Sequence, residues 1–236
     1  MQARPTRGPS GMRQTVPEPE LSWPREKMQA EVALSQQLNR SFKVIKKNLS
    51  LWDQTLLEGR PCVDSISNLA EQLECCQRVK VSATPLKNFE NLQERLIGKL
   101  ISTIEDEIIK FIELQQQLQD VSDRLSKEND KCVTLYQCLR VQLPVEVMVS
   151  RMPFRPSYAD MLEMIRDVDR ICHELSATRS YHWDQLDYNK PAVVQEVMTS
   201  LKKTNKLQDQ MEETLAKVQF FLDDSFSTEM DMPAFE

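Results

Sequence analysis

The side chains of this sequence with the greatest potential for chemistry are two histidines and six cysteines, the residue types that serve as general bases, nucleophiles and metal ligands. His173 and His182 are nine residues apart, so on a helix they point in different directions, and neither is paired with a carboxylate at metal-ligand spacing. No two cysteines have C-x-x-C spacing, and the adjacent Cys75 and Cys76 cannot easily face one tetrahedral metal ion. We therefore predict no metal site, and we expect reduced cysteines, several of them acting as small apolar side chains.

Phosphate-binding and nucleophile motifs are missing from the sequence as well. Gly98-Lys99 lacks the preceding glycine and the following serine or threonine of a phosphate-binding loop. The G-x-S-x-G pattern that exposes a nucleophilic serine does not occur. These observations predict a protein that is not an enzyme and that binds no cofactor.

Composition argues against two further classes of function. The net charge of -6 and the isoelectric point of about 5.2 disfavour capture of nucleic acid through its phosphates. No run approaches the roughly 18–20 apolar residues that a membrane span requires, and the N-terminus lacks an apolar signal segment. We expect no direct nucleic-acid or membrane contact. Six cysteines without a signal indicate a reducing compartment, the cytoplasm or the nucleus.

The elements that would position any functional residue are long amphipathic helices. Apolar residues recur at alternating steps of four and three, the spacing that places them on one face of a helix. The sequence therefore predicts an all-α fold, an elongated bundle of about five amphipathic helices with disordered N- and C-terminal tails. The first stripe consists of Leu38, Phe42, Ile45, Leu49, Trp52 and Leu56.

Prolines and glycines set the predicted boundaries of the first three helices. We expect the first helix over 25–58 and its end in the Gly-Arg-Pro segment at 59–61. A second helix would open at that proline and fade near residue 78. Thr84-Pro85 then supplies an N-cap and a first-turn proline for a third helix over 85–142. The stripe of this third helix begins with Phe89, Leu92 and Leu96.

Two more helices and two tails complete the predicted organisation. The apolar, proline-bracketed connection at 144–156 is expected to lie against the bundle. Ser157-x-x-Asp160 has the form of a capping box and opens a fourth helix that ends near residue 186. The last helix is predicted over 191–222. The predicted domains are a disordered proline-rich tail at 1–24, a helical bundle domain at 25–222 and an acidic disordered tail at 223–236.

Several segments go beyond generic helical patterning, and in their order they resemble the AIRIM family of ribosome maturation factors. The resemblance spans about residues 37–224, and the proline-rich start departs from the family. The segments are Leu51-Trp52, Ser67-Asn68-Leu69-Ala70-Glu71-Gln72-Leu73, Phe89-x-x-Leu92-x-Glu94-Arg95-Leu96, Pro156-Ser157-x-Ala159-Asp160-Met161-Leu162-Glu163 and Phe220-Phe221-Leu222-Asp223-Asp224.

The resemblance implies a non-catalytic adaptor subunit of an AAA ATPase (unfoldase) complex. Its implied partners are two related AAA ATPases of the spermatogenesis-associated type and a small cyclin-dependent-kinase-interacting protein. The complex would act in the cytoplasm on precursors of the large ribosomal subunit, releasing an L24-like shuttling factor for recycling. The resemblance also implies a role in protein turnover at the replisome, and hence a cytoplasmic and nuclear location.

Candidate partner contacts come from the segments that carry the resemblance. The alternative for each apolar member is that it packs the core of this chain, and serine, asparagine and aspartate are also wanted at caps and turns. The candidates are Trp52, Ser67, Asn68, Leu69, Glu71, Leu73, Ser157, Asp160, Met161, Leu162, Phe220 and Phe221.

Two other classes of function remain open at this level. The length of the third predicted helix is compatible with a homodimeric coiled-coil protein that serves as a structural or tethering element. An enzyme hidden within a helical bundle is the other alternative. The proline-delimited helices favour a chain that folds back on itself.

Overall fold

The structure is a computed structural model that describes residues 22–152, 155–202 and 206–222 of the chain. Across these residues the all-α prediction is confirmed, and β-structure is limited to an isolated bridge between Met152 and Arg155. The predicted tails at 1–24 and 223–236 lie outside the described residues, except that 22–24 belong to the first helix. The helices are α1 (Ser22–Arg78), α2 (Leu92–Leu139), α3 (Val145–Val149), α4 (Tyr158–Asp184), α5 (Pro191–Lys202) and α6 (Lys206–Leu222).

The first two predicted helices are in fact one. α1 continues through the segment at 59–61, so the predicted stop there is wrong. Pro61 has no N–H to offer the carbonyl group four residues earlier, but its fixed φ is compatible with a helix. Val63 and Ile66 after the proline are buried in one cluster with Phe111 of α2. Packing against α2 therefore outweighs the local tendency of the proline to break the helix.

Replacing Pro61 with alanine is expected to raise the free energy of unfolding by about 1–2 kcal/mol. Inside a helix alanine is about 3 kcal/mol more favourable than proline, and the greater freedom of the unfolded variant offsets part of this gain. Urea unfolding followed by circular dichroism measures the change. Lys47→Ala, at another exposed position of α1, is the control and should change stability by less than about 0.5 kcal/mol. A destabilised Pro61→Ala chain would contradict the account.

α2 begins later than predicted. Thr84 and Pro85 do cap a helix, but it is a short 3₁₀ turn over Pro85–Asn88, with Thr84 Oγ1 accepting a hydrogen bond from the backbone N–H of Leu86 at 3.2 Å. Asn91 then adopts a left-handed backbone with φ 54°, a conformation that asparagine tolerates better than most residues, and α2 starts at the next residue. The predicted start at 85 is therefore wrong, and Phe89 lies before the helix rather than on its buried stripe.

The connection at 144–156 only partly lies against the bundle. The larger of two clusters of buried apolar residues, which we call the main core, contains residues of α1, α2, α3, α4 and α6. Met148 in α3 is buried in this main core, and Val147 packs against it. Val145, Val149 and Met152 are exposed. The expectation that this apolar segment is covered thus holds for one face of α3.

The capping box at the start of α4 is confirmed. Ser157 Oγ accepts a hydrogen bond from the backbone N–H of Asp160 at 3.1 Å, and a carboxylate oxygen of Asp160 accepts one from the backbone N–H of Ser157 at 3.2 Å. The predicted last helix is instead described as two, α5 and α6, with residues 203–205 between them outside the described part of the chain.

The two long helices form an antiparallel pair on which the others pack. Ser41 of α1 lies beside Glu128 of α2, and at the other end Gln93 of α2 reaches the last turn of α1. α4 packs antiparallel on the second half of α2, and α5 and α6 return along α1. The Phe111 and Trp183 rings, 4.3 Å apart between centroids, link α2 to the end of α4.

Polar side chains fix the register between these helices. Ser41 Oγ donates to the buried Glu128 carboxylate at 2.9 Å. Ser176 Oγ of α4 donates to the amide oxygen of Gln119 at 2.7 Å. Asp169 of α4 accepts hydrogen bonds from two side chains of α2. Each of these groups would be left unpaired if its helix slid by one turn, which makes other registers unfavourable.

Candidate partner-binding surface

Some apolar residues of the predicted interface lie in the core of this chain, and others are partly exposed. Trp52, Leu73 and Met161 are fully buried within the chain. Leu162 is half-buried and packs against the main core. Leu69 is also half-buried. Three of these five side chains are therefore already occupied inside this molecule, and what they contact in a complex stays a prediction.

The polar members near Leu69 join two helices of the same chain. The side-chain N–H groups of Gln195 in α5 donate to Ser67 Oγ at 2.7 Å and to the Glu71 carboxylate at 2.5 Å. Asn68 is exposed and accepts a hydrogen bond from Gln72 within the same helix at 3.2 Å. Ser67 and Glu71 thus help to hold α5 against α1, whereas Asn68 remains accessible.

Ser157 and Asp160 also have roles within the chain. Besides the capping box, the guanidinium group of Arg151 donates two hydrogen bonds to the Asp160 carboxylate, at 2.8 and 2.9 Å. The hydrogen bonds from Arg151, and then those from Ser157, lower the pKa of Asp160 to about 2. A charged Asp160 therefore stabilises the start of α4 and ties the preceding connection to it.

Asp160→Asn is expected to lower the free energy of unfolding by about 1 kcal/mol near pH 7, since it weakens both the cap and the ion pair. The pKa of Asp160 is lowered from 3.8 to about 2 in the folded chain. The stabilisation by its charge is therefore present above about pH 4 and is lost as the pH falls towards about 2. Urea unfolding at about pH 7 and about pH 2.5 measures the difference between the two chains, which should shrink at the lower pH.

Asp167→Asn is the matched control for this prediction. Asp167 also forms an ion pair within α4, with Arg170 at 3.3 Å, but both side chains are well exposed. Its replacement should change stability by less than about 0.5 kcal/mol. A difference between Asp160→Asn and the natural chain that does not depend on pH would count against the role of the Asp160 charge.

Phe220 and Phe221 lie in the last turn of α6, but their side chains are outside the described residues. Their predicted role in an interface stays a prediction.

The largest exposed aromatic side chain near the turn between the long helices was not among the predicted contacts. Phe89 is 62% exposed. It follows two 3₁₀ turns, Val81–Ala83 and Pro85–Asn88, at the end of the α1–α2 pair. Val79, Leu86 and Leu96 around it are exposed as well. We call residues 79–96 the hairpin tip. An aromatic residue close to Thr84-Pro85 is the only indication of this exposed ring in the sequence. The helical spacing of Phe89 from Leu92 and Leu96 instead predicts that it lies on a buried stripe.

The hairpin tip is held in place by hydrogen bonds that leave its apolar side chains free. The side-chain amide of Gln93 donates to the backbone carbonyl oxygens of Cys76 and Val79, at 2.8 and 2.9 Å. Cys76 lies in the last turn of α1 and Val79 directly follows it, where carbonyl groups lack partners within the helix. A preformed apolar surface binds a partner with less loss of conformational entropy than a flexible segment does.

The charge of this region differs from that of the whole chain. Residues 78–99 contain five basic and two acidic side chains, a net charge of +3 in a protein of net charge -6. Exposed apolar side chains in a segment with a positive net charge favour a partner that offers an apolar pocket with acidic residues nearby. The basic residues are Arg78, Lys80, Lys87, Arg95 and Lys99, and the acidic residues are Glu90 and Glu94.

The thiols and histidines do not form a reactive centre in the part of the chain that the structure describes. Burial, followed by the charges of Asp169 and Asp53, raises the pKa of the Cys172 thiol to about 12. Burial also raises the pKa of Cys132. No group of three or more potential ligands is placed to hold a metal ion among these residues, and none of their helices is long and apolar enough to cross a membrane.

Comparison with known proteins decides the family. The sequence profile of a family described as ribosome biogenesis protein C1orf109-like matches residues 32–220, which include most of the bundle and the whole hairpin tip. The chain belongs to this family. The resemblance inferred from the sequence segments is thereby confirmed.

Two relatives of this C1orf109-like chain show how much of its length is similar to known proteins. An AFG2-interacting ribosome maturation factor from Xenopus tropicalis is 37% identical over 141 residues, which are 60% of this chain and 69% of the relative. The factor of the same name from Homo sapiens is 27% identical over 196 residues, 82% of this chain and 97% of the relative. The similarity therefore extends over nearly the full length of the human factor.

Proposed function

We propose that this protein is a non-catalytic adaptor subunit of an AAA ATPase complex that acts in ribosome maturation. The observation that carries the proposal is the match to 97% of a human factor whose name states both an interaction with AFG2 and a role in ribosome maturation. An adaptor requires rigid surfaces and no catalytic pocket, and long helices held in register by buried polar contacts provide such surfaces.

The hairpin tip is the surface that we propose for contact with the ATPase. Its exposed side chains, above all Phe89, form an apolar surface that no other described residue covers. Interface energy is concentrated in a few aromatic and large apolar side chains that insert into a partner's pocket. The positive net charge of this segment would steer the tip towards acidic residues near that pocket.

The finer features of the proposal rest on the family resemblance. The complex would contain two related AAA ATPases of the spermatogenesis-associated type and a cyclin-dependent-kinase-interacting small partner. It would act on precursors of the large ribosomal subunit, in the release and recycling of an L24-like shuttling factor, and in protein turnover at the replisome. The protein would work in both cytoplasm and nucleus, with ATP hydrolysed by the partner subunits.

Affinity purification of the tagged full chain from cells, with quantitative mass spectrometry, tests this proposal. Two AAA ATPases should be recovered in near-equal yield, together with a small third subunit and proteins of the large ribosomal subunit. The purified chain alone should not hydrolyse ATP. Recovery without any AAA ATPase, or clear ATP turnover by the chain alone, would overturn the proposal.

The homodimeric coiled-coil alternative is disfavoured by the position of the α2 stripe. The apolar residues of α2 that would form the seam with a second copy are buried in the clusters formed with α1, α4 and α5. These residues are Phe111, Leu118, Val121 and Leu125. A dimer along α2 would require these helices to move away. Gel filtration with light scattering should give the mass of a single chain, and a dimer would favour the alternative.

A further inference from the structure

A small cavity lies where α1, α2, α4 and α5 meet, away from the hairpin tip. Its volume is about 30 Å³, and its walls include Gly59, Phe111, Leu118 and Leu201. These walls are apolar, which is ordinary for the centre of a helical bundle. Its polar lining is unusual, because two arginines face the same small space.

Arg60 of α1 and Arg179 of α4 both line the cavity. Burial lowers the pKa of Arg179, and the nearby positive charge of Arg60 lowers it further. A guanidinium group nevertheless stays charged in proteins, so the two like charges share one partly enclosed site. Burial limits the solvation of Arg179, so a negative charge close to both guanidinium groups would stabilise this arrangement.

The residues that the structure describes around the cavity do not supply that negative charge. None of the described residues that line the cavity is acidic. The stretch 202–208, which follows Leu201 and whose side chains the structure does not describe, contains three lysines and no acidic residue. Among the described residues, Arg179 has neither an ion pair nor a hydrogen bond, and burial and the Arg60 charge are the influences on its pKa.

Besides the two arginines, a third polar side chain that lines the cavity lacks a hydrogen-bond partner among the described residues. The side-chain N–H groups of Gln115 in α2 are buried and donate to no acceptor among the described residues. Buried amide donors are nearly always hydrogen-bonded, and at a cavity wall a ligand or ordered solvent can supply the acceptor. An anion in the cavity would lie beside all three side chains, which come from three different helices.

We propose that this cavity, between Arg60, Gln115 and Arg179, is a binding site for a carboxylate group. A carboxylate matches the planar fork of a guanidinium group and accepts two hydrogen bonds from it. The cavity volume of about 30 Å³ holds roughly two water-sized groups, which suits a carboxylate better than a tetrahedral phosphate or sulfate. Arg60 is exposed, so the site can be reached from solvent by a free carboxylate or by an acidic side chain of a bound protein.

Thermal unfolding of the full chain in sodium acetate, against sodium chloride at equal ionic strength, tests the proposal. Acetate at about ten times its dissociation constant should raise the folding equilibrium constant about eleven-fold. Arg179→Gln should abolish this gain. Arg124→Gln, at an exposed position of α2 remote from the cavity lining, should retain it. No response of the natural chain to acetate, or an equal response in Arg179→Gln, would overturn the proposal.

A second measurement does not depend on stability. The Nε–H resonance of Arg179, assigned by its loss in Arg179→Gln, should shift on addition of acetate and should not shift with chloride. A shift with phosphate but not with acetate would exclude the carboxylate and indicate a larger oxyanion.

The source of the carboxylate is decided in the presence of an AFG2-type ATPase. If an acidic side chain of the ATPase fills the site, acetate should no longer shift the Arg179 resonance once the two proteins are bound. If a free carboxylate fills it, the shift should persist in the complex. Failure of the ATPase to bind would count against the proposed function and would leave the acetate results as the test of the cavity.

Discussion

Phe89→Ser is expected to weaken binding to an AFG2-type ATPase by about 30-fold or more without changing the thermal stability of the chain. An aromatic side chain at the centre of an interface commonly contributes about 2 kcal/mol or more, which corresponds to this factor. The ring is 62% exposed, so its removal takes little from the core of the free protein. Surface plasmon resonance with the immobilised full chain measures the affinity.

Tyr181→Ser is the matched control for the hairpin tip. Tyr181 is as exposed as Phe89, at 64%, but lies near the end of α4 rather than at the tip. It should leave the affinity unchanged within about two-fold. Equal binding by the natural chain and Phe89→Ser would show that the ATPase contacts another surface, whereas loss through Tyr181→Ser would place that surface on α4.

Trp52→Ala is expected to lower the free energy of unfolding by about 3–5 kcal/mol, which is a large part of the stability of a domain of this size. The side chain is fully buried in the main core, and alanine would leave a cavity that the surrounding helices fill only in part. Chemical denaturation measures the loss. Leu57→Ala, at an exposed position of the same helix, should change stability by less than about 0.5 kcal/mol.

Trp52→Phe separates the size of the side chain from its polar group. The indole N–H of Trp52 is buried and has no acceptor among the described residues. Phenylalanine loses apolar area but also removes this unpaired donor, so we expect a loss of no more than about 1–2 kcal/mol. A Trp52→Phe chain that keeps its stability but no longer binds the ATPase would instead support the predicted role of Trp52 in an interface.

Together, Phe89 and Trp52 show where spacing along a sequence is ambiguous. Both occur at helical spacing with other apolar residues. Spacing identified α1 as a helix and placed Trp52 on its apolar stripe, which the structure buries. It failed for Phe89 because a left-handed residue at Asn91 separates this ring from α2, and no periodic pattern reveals that break.

Helix boundaries were predictable where a local interaction sets them. The box of Ser157 and Asp160 closes through hydrogen bonds between neighbouring residues, so four letters of sequence were enough to place the start of α4. The stop expected at Pro61 failed because the free energy of a distant contact, burial of the flanking side chains against α2, exceeded the local penalty. Local sequence patterns predict a helix boundary reliably only where the free energy of tertiary packing does not oppose them.

The candidate sites also depend partly on local sequence and partly on contacts between distant residues. The segment 67–73 carries a resemblance to a family, but its Ser67 and Glu71 side chains accept hydrogen bonds from Gln195, more than a hundred residues away. The cavity between Arg60 and Arg179 has no sequence motif at all. Its members lie on separate helices, and only their packing brings two positive charges together.

The sequence by itself determined the helical class, the cap of α4 and the family, because periodicity, capping and resemblance are carried by residues near one another in the chain. The tertiary structure alone decided that α1 continues through Pro61, that Phe89 is exposed at the hairpin tip and that Arg60 meets Arg179. The reason is physical: these outcomes depend on which distant side chains exclude water together, and that free energy is a property of the packed helices rather than of any one segment.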